Sequence, residues 1–379
     1  MITRQQISEV ISRYHSEDIT IGTLGSHSTL DICKGAKDEG IQTVVVCQKG
    51  REEPYERYYR IRKSFDRICG VIDKTIILDK FQDILNENIQ NQLVSMNTVF
   101  IPHRSFSIYV PYDGIENRFL VPIFGSRNLL RVEERDVERN QQFLLEKALI
   151  RTPYQFKGYT DIDRLAVVKV NESERTFERA FFYASNPKEF EERSSLLIKK
   201  GMITRKDVDN AVIEEFIMGA QYNFNFFYSP LLGELELLGT DARRQTNLDG
   251  LLRLPADEQL KVLEHIKAQN IEVGHFATTI RESLLEKVFR LGERFVEITK
   301  SEYPPGIIGP FALQGAVIPG PPKEDIAIFD VSLRVPGSPG TKFTHYTECN
   351  WGYPVSTGHR IAMEIKEAIK QDRLDEVIT

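Results

Sequence analysis

The sequence predicts an N-terminal α/β region followed by α+β regions, and three observations carry that expectation. Residues 1–125 alternate short β-branched runs with helical stretches, the pattern of a Rossmann-like parallel sheet covered by helices. From about residue 126 the alternation stops, and a small lobe over 126–200 carries paired strands and a helix. Beyond it, 201–379 holds long β-runs, a long helix and a closing helix, as expected of a larger mixed domain.

In chain order, "MITRQQISEVISRY" has the apolar spacing of an amphipathic helix rather than a signal core. "DITIGTL" reads as a strand, "STLDICKGAKDEG" as a helix closed by Gly40, and "IQTVVVCQ" as the next strand. "TIILDK" and "TVFIPH" are strands flanking a helical "FQDILNENIQNQLVSMN". The lobe begins with a helix in "VERNQQFLLEKALI". Its strands "LAVVKV" and "RAFFYAS" flank the charged "NESERTFE", before a helix in "NPKEFEERSSLLIKKG". "AVIEEFIMGAQYNFNFFYS" and "LGELELLGTDARRQ" are long β-runs, and "RESLLEKVFRLGERFVEITKS" is a long helix. "GPFALQGAVI" and "DIAIFDVSLRV" are strands joined by the Pro/Gly turn "VIPGPPKED", and "TGHRIAMEIKEAIKQD" closes the fold. Parallel sheets bind ligands at the carboxyl ends of their strands, where "TLGSHS" and "IPHRS" fall.

A net charge of −6 over 379 residues provides no global basic field, so nucleic acid and anionic membrane surfaces are not expected partners. The basic "KGREEPYERYYRIRK" has acids interleaved and reads first as a solvated face, second as an anion site. No apolar run approaches the roughly 20 residues that span a bilayer. Cys33, Cys47, Cys69 and Cys349 show no CxxC spacing, which fits reduced thiols in a soluble cytoplasmic protein.

Three places could hold chemistry. Lys169, near the end of an apolar strand, needs either solvent or an anionic partner such as phosphate. Glu214 and Glu215 are adjacent on a strand and point to opposite faces, which fits either a salt bridge or contact with adenine and ribose. Gln314, Asp330 and Arg334 lie on neighbouring strands. They suit Mg²⁺ bound to phosphates, with arginine facing the anion, or else a structural Asp330–Arg334 pair.

In this order the pieces resemble a known family, the archaeal formate-dependent 5-formaminoimidazole-4-carboxamide ribonucleotide (FAICAR) synthetases, or PurP proteins, of the ATP-grasp superfamily. The resemblance runs over nearly the whole chain. It rests on "TIGTLGSHSTLDICKGAKDEG", "KGREEPY", "IPHRSF", "FLVPIFGSRNLLR", "IEEFIMGAQYNFNFFYSP", "LGTDARRQTNLDGLLRLPA", "IRESLLEKVFRLGERFV" and "PPGIIGPFALQ". It implies an ATP-grasp fold and an ATP-dependent ligase that formylates aminoimidazole-carboxamide ribonucleotide (AICAR) in purine biosynthesis, with formate as donor. By this resemblance His27, Ser105 and Asn247 bind AICAR, and Arg243, Arg281 and Arg334 serve as catalytic anion clamps. Lys169, Glu214, Glu215 and Phe216 bind ATP, and Gln314 and Asp330 hold Mg²⁺. A homo-oligomer is also implied, with the apolar "FNFFYSPLLGELELLG" as its interface.

Five departures from the family pattern are expected to touch the ATP side. The glycine-rich phosphate loop is replaced by "NESERTFERAFFY", where Glu172, Glu174 and Glu178 oppose an anion and Arg175 and Arg179 offset part of that. A lysine usual near Phe143 is gone, Val132 replaces a tryptophan, and Asp330 is one methylene shorter than the usual glutamate. "RVPGSPGTKF" adds Pro336 and Pro339 to a flexible turn. These changes predict weakened or reorganised ATP use, with a nucleotide-binding paralogue as the alternative to a full enzyme.

The remaining histidines carry blander expectations. His103 stands open between support of the ribonucleotide site and a plain loop hydrogen bond. His345, near Glu348 and Cys349, fits no zinc spacing. His265, His275 and His359 are expected on the surface or on helices.

Overall fold

The computed structural model describes every residue except 135–136, 171–180, 267, 269–270, 321–322 and 338. The expected phosphate loop "NESERTFE" therefore lies outside the described residues.

The N-terminal region contains β1 (Thr20–Leu24) and β2 (Gln42–Gln48), a short pair β3 (Arg62–Ser64) and β4 (Arg67–Cys69), then β5 (Lys74–Leu78) and β6 (Thr98–Phe100). Strands β5-β2-β1-β6 form a parallel sheet, as the strand–helix alternation requires. The helix Thr29–Asp38 leaves β1 after a tight turn, and Gly40 ends it at φ 77°. The stretch 81–97 is not one helix: a 3₁₀ turn, Phe81–Leu85, stops at extended Asn86, and an α-helix restarts over Glu87–Ser95.

The lobe is a three-stranded antiparallel sheet of β7 (Ala166–Lys169), β8 (Phe181–Ala184) and β9 (Val212–Glu215), in the order β8-β7-β9. Its sheet runs past residue 200 because "AVIEEFIMGAQYNFNFFYS" is two strands. The first part pairs with β7, and the second is β10 (Ala220–Ser229) of the next sheet. That next sheet adds β11 (Glu234–Gln245), β12 (Glu272–Thr278), β13 (Gly309–Ile318) and β14 (Asp325–Ser332), in the antiparallel order β12-β11-β10-β13-β14. Strand β12 has no counterpart among the sequence expectations, because its apolar Val273 and Phe276 are exposed and it lacks a buried face.

The long helix Leu285–Glu302 covers one face of this sheet, with Phe295 packed on Phe226 and Phe311 in the largest core. Val132 is buried in the same core, so its replacement of a tryptophan is a packing change rather than an ATP-site change. The other face divides. Phe227 and Leu238 join the core built on β1 and the C-terminal helix Thr357–Lys370, while the rest is polar. That helix crosses Thr29–Asp38 where Gly35 meets Gly358; a Cβ on Gly35 would lie 2.2 Å from the Gly358 backbone. Of the segment 224–239, expected at an oligomer interface, the strand part is interior, with Phe224, Phe226 and Phe227 fully buried, while Leu232 in the following turn is exposed.

Among the described residues the four cysteines are free, with Cys33 and Cys47 buried, and no helix is long and apolar enough to cross a membrane.

Candidate functional site

The polar part of the five-stranded sheet follows from period-2 alternation in "YNFNFF". Phe224 and Phe226 point to the helix side, so Asn223 and Asn225 point to the other. Register then fixes their neighbours. Asn223 lies opposite Asp241 and Gln314, Arg243 opposite His275, and Gln314 opposite Asp330. Asp241 is fully buried and accepts from Asn223 Nδ2 at 2.7 Å and Asn225 Nδ2 at 2.6 Å. Its third partner is His275 Nδ1 at 2.5 Å, and His275 Nε2 meets Glu272 Oε1 at 2.7 Å. Burial opposes charging of His275, but hydrogen bonds to Asp241 and Glu272 outweigh it and raise its pKa to about 9. Glu272 also holds Arg243 Nε at 3.0 Å, and Arg243 donates to Gln314 Oε1.

The strand ends of the parallel sheet bring a second set of side chains to the same place. His27, in the turn after β1, has φ 51° and stacks on His103 with ring centroids 5.6 Å apart. His103, just past β6, is fully buried. Its Nε2 donates to Leu24 O at 2.9 Å and its Nδ1 accepts from Ser105 N at 3.2 Å. Both nitrogens are used, so His103 is a neutral buttress that orients Ser105 and the β1 turn. Desolvation by its neighbours, helped by His103, Arg334, His275 and Arg104, holds the His27 imidazole below its ordinary pKa, although the residue keeps an exposed surface. The chain leaving β14 closes the junction: Val335 pairs with His103, and Ser28 Oγ donates to Pro336 O at 3.1 Å. A Cβ on Gly337 would sit 2.9 Å from His27 Nε2 and 3.3 Å from His275 Nε2, so the two imidazoles converge on one point.

Lys169 and Glu214 form a half-buried ion pair across β7 and β9, the salt-bridge reading of Glu214. Glu215 ties to Tyr154 through N–H···O at 2.8 Å, and the Phe216 ring meets Tyr183 edge-on at 5.0 Å. These residues line the passage from the lobe to β10.

The structure thus gathers His27, Ser105, Arg243, Gln314 and Asp330 about one polar junction and sets Lys169, Glu214, Glu215 and Phe216 in the lobe. Asn247 follows β11 in a left-handed conformation, φ 40°, which asparagine tolerates, and is exposed. Two expected clamps differ. Arg281 is exposed and pairs with Glu324 at 2.5 Å, not with a residue of the polar face. Arg334 is buried and pairs with Glu133 at 3.3 Å, tying the β14 exit to the 3₁₀ turn Arg131–Glu133, and the Asp330 carboxylate acts on it as well. Arg139 and Lys147 lie over the Phe143 ring at 5.0 and 5.7 Å. His275, expected on the surface or on a helix, sits in β12 within the polar cluster. Asn223, Asn225, Asp241, Glu272 and His275 were not anticipated. The alternation of asparagine with phenylalanine in "YNFNFF" was the available signal.

Gln314 and Asp330 are oxygen donors in register on adjacent strands. Among the described residues no group of three His, Cys, Asp or Glu could hold a metal. That donor set fits Mg²⁺, which takes one or two protein ligands and completes its shell with phosphates and water. Lys169, on the lobe strand β7 and paired with Glu214, is a cation of the type that meets phosphate.

A family model described as "Domain of unknown function (DUF1297)" matches residues 189–379. One described as "Protein of unknown function (DUF1246)" matches residues 21–156. The chain is 41% identical to the 5-formaminoimidazole-4-carboxamide-1-(beta)-D-ribofuranosyl 5'-monophosphate synthetase of Methanothermobacter thermautotrophicus, over 100% of this chain and 99% of that protein. It is 40% identical to the synthetase of the same name from Methanocaldococcus jannaschii, over 100% of both. In structure it is similar to an IMP biosynthesis protein PurP from Thermococcus kodakaraensis, with TM-score 0.68 and 28% identity, covering 95% of this chain and 100% of that one. The ADP complex of purK, an N5-carboxyaminoimidazole ribonucleotide synthetase, superposes with TM-score 0.59 at 12% identity over 92% of this chain and 77% of that one, and so shares the fold alone. The fold is ATP-grasp, and the chain belongs to the 5-formaminoimidazole-4-carboxamide ribonucleotide synthetase (PurP) family.

Proposed function

We propose that this chain is an ATP- and formate-dependent ligase that converts AICAR to FAICAR in purine (IMP) biosynthesis. The observation that carries the reading is its relationship, at about 40% identity over full length, to synthetases named for that ribonucleotide product. The chemistry suits a site of this kind. Formate is a poor acyl donor because its leaving group would be oxide. Attack of a formate oxygen on the γ-phosphorus of ATP breaks the bond to the bridging oxygen and releases ADP. The exocyclic amine of AICAR then attacks the formyl carbon, the C–O bond to phosphate breaks, and the phosphate leaves with the amine proton. The protein has to position three reactants, balance phosphate charge and exclude water.

In this reading His27 and Ser105 hold the ribonucleotide at the strand ends, with Asn247 at the exit of β11. Lys169 takes ATP phosphate oxygens, and Glu214, Glu215 and Phe216 line the adenine side. Gln314 and Asp330 hold Mg²⁺, which neutralises phosphate charge when bound. Arg243 clamps the transferring group. Arg281 and Arg334 act less directly, Arg334 by fixing the β14 exit beside His27. The division we infer is a parallel domain over 1–125, a lobe over 126–200 extended by β9, and a large domain to 379. A cytoplasmic location follows from the substrates.

The test is an assay with ATP, Mg²⁺, formate and AICAR that follows ADP and the formamide. Both products are expected to form in equal amounts, and ADP without formamide would overturn the reading. His27→Ala is expected to weaken AICAR binding at least tenfold in calorimetry while leaving ATP binding unchanged.

We further propose a homo-oligomer, built on the connection between β11 and β12 rather than on 224–239. Among the described residues of that connection and β12, Leu252, Leu260, Val273 and Phe276 are each about half exposed or more. Leu260→Asp is expected to move the protein to a smaller species in light scattering, and an unchanged mass would refute this interface.

A further inference from the structure

Glu272 has each of its carboxylate oxygens on a different cation. Oε2 meets Arg243 Nε at 3.0 Å and Oε1 meets His275 Nε2 at 2.7 Å. A carboxylate bridging two cations in this way mimics two oxygens of a phosphoryl group. The cations are held from behind. Asp241 fixes His275 through Nδ1 and is itself locked by Asn223 and Asn225, while Arg243 reaches Gln314, the residue assigned to Mg²⁺. The same Nε2 edge of His275 that meets Glu272 lies near Gly337, whose added Cβ would also meet His27 Nε2 at 2.9 Å. The pair of cations therefore lies between the metal side and the ribonucleotide side of the junction. Glu272 is the least anchored member. It lies at the start of edge strand β12 and its side chain keeps 36% of its surface exposed, whereas Asp241 has none.

We propose that Arg243 and His275 form a phosphoryl-binding cradle in which Glu272 stands where a substrate phosphoryl group would displace it. The inference rests on the proposed ligase reading and adds to it a binding residue, His275, and an internal competitor, Glu272. Two phosphoryl groups could use the cradle: the 5'-phosphate of AICAR, or the phosphate carried by the activated formyl group and released as inorganic phosphate. Their shared requirement is an anion that replaces the carboxylate on both cations. The groups facing His275 are Asp241 and Arg243 from β11, Glu272 from its own strand and His27 from the β1 turn. His275 is a cation until about pH 9, so the cradle is expected to lose affinity above that value.

The experiment is calorimetric titration of wild type, Glu272→Gln and His275→Gln with three probes: AICAR, its dephosphorylated riboside and inorganic phosphate. Glu272→Gln removes the competing charge and is expected to bind the relevant phosphoryl ligand roughly 3- to 10-fold more tightly. His275→Gln keeps a donor toward Asp241 and is expected to bind it at least 10-fold more weakly. Tighter AICAR with unchanged riboside assigns the cradle to the 5'-phosphate, and a gain seen with inorganic phosphate alone assigns it to the formyl side. If Glu272→Gln binds neither phosphoryl probe more tightly, the inference is overturned. It also falls if His275→Gln binds both as well as wild type. Wild-type formamide synthesis, measured on the same preparation, tests the ligase reading separately. A wild type that binds phosphate through the cradle but makes no formamide would sink that reading and leave the cradle standing.

Discussion

Lys169→Met is expected to lower formamide synthesis by about 10²–10³-fold, the scale of losing one cation that stabilises transferring phosphate. ATP affinity is expected to fall with it, while AICAR affinity in the absence of ATP stays within about twofold, because Lys169 stands in the lobe and the ribonucleotide side chains do not. The mutation also leaves Glu214 buried beside a methionine. Lys169→Met/Glu214→Gln also removes the carboxylate charge, so folding can be separated from catalysis. A double variant that folds like wild type and still forms ADP at the wild-type rate would remove Lys169 from the ATP site.

Arg360→Ala is expected to cost stability rather than chemistry. Arg360 is 1% exposed on the C-terminal helix. Its Nε donates to Glu236 at 2.8 Å and its Nη1 to Glu364 at 2.8 Å, while its guanidinium lies 4.2 Å from the Phe227 ring centroid and 5.1 Å from that of Trp351. Those carboxylates have one further partner each: Trp351 Nε1 for Glu236 and Ser229 Oγ for Glu364. Alanine leaves two buried acids without their cation, which typically costs about 3–5 kcal/mol. Chemical denaturation of Arg360→Ala should show a drop of that size. Arg360→Lys is expected to recover only part of it, since an ammonium cannot serve both carboxylates as a planar fork does. A loss under about 1 kcal/mol for the alanine variant would mean that the acids find other partners.

Much of the fold is legible because its signals are local. β-branched runs, Gly40 after a helix and the long amphipathic helix before Glu302 each state their own conformation. The candidate site was legible in part for the same reason. His27, Lys169, Gln314 and Asp330 stand out as polar residues at strand ends or inside apolar strands. His275 and Glu272 do not, because β12 is an exposed edge strand whose pairing with β11 decides everything about them. The Glu133 partner of Arg334 was not legible either, because it lies some 200 residues away in sequence. Residues that act through long-range pairs leave no local trace, whereas those acting through a turn or a period-2 stripe do.

The glycine crossing between the helix after β1 and the C-terminal helix bears on how the reaction is organised. Backbones in such close contact do not slide, so the strand-end histidines and the polar sheet face are carried on a single base. A catalytic cycle in this molecule would then need only its three-stranded lobe to travel. The ordering cost of closure falls on that small part, and the ribonucleotide would meet a seat whose shape was already settled before nucleotide triphosphate entered.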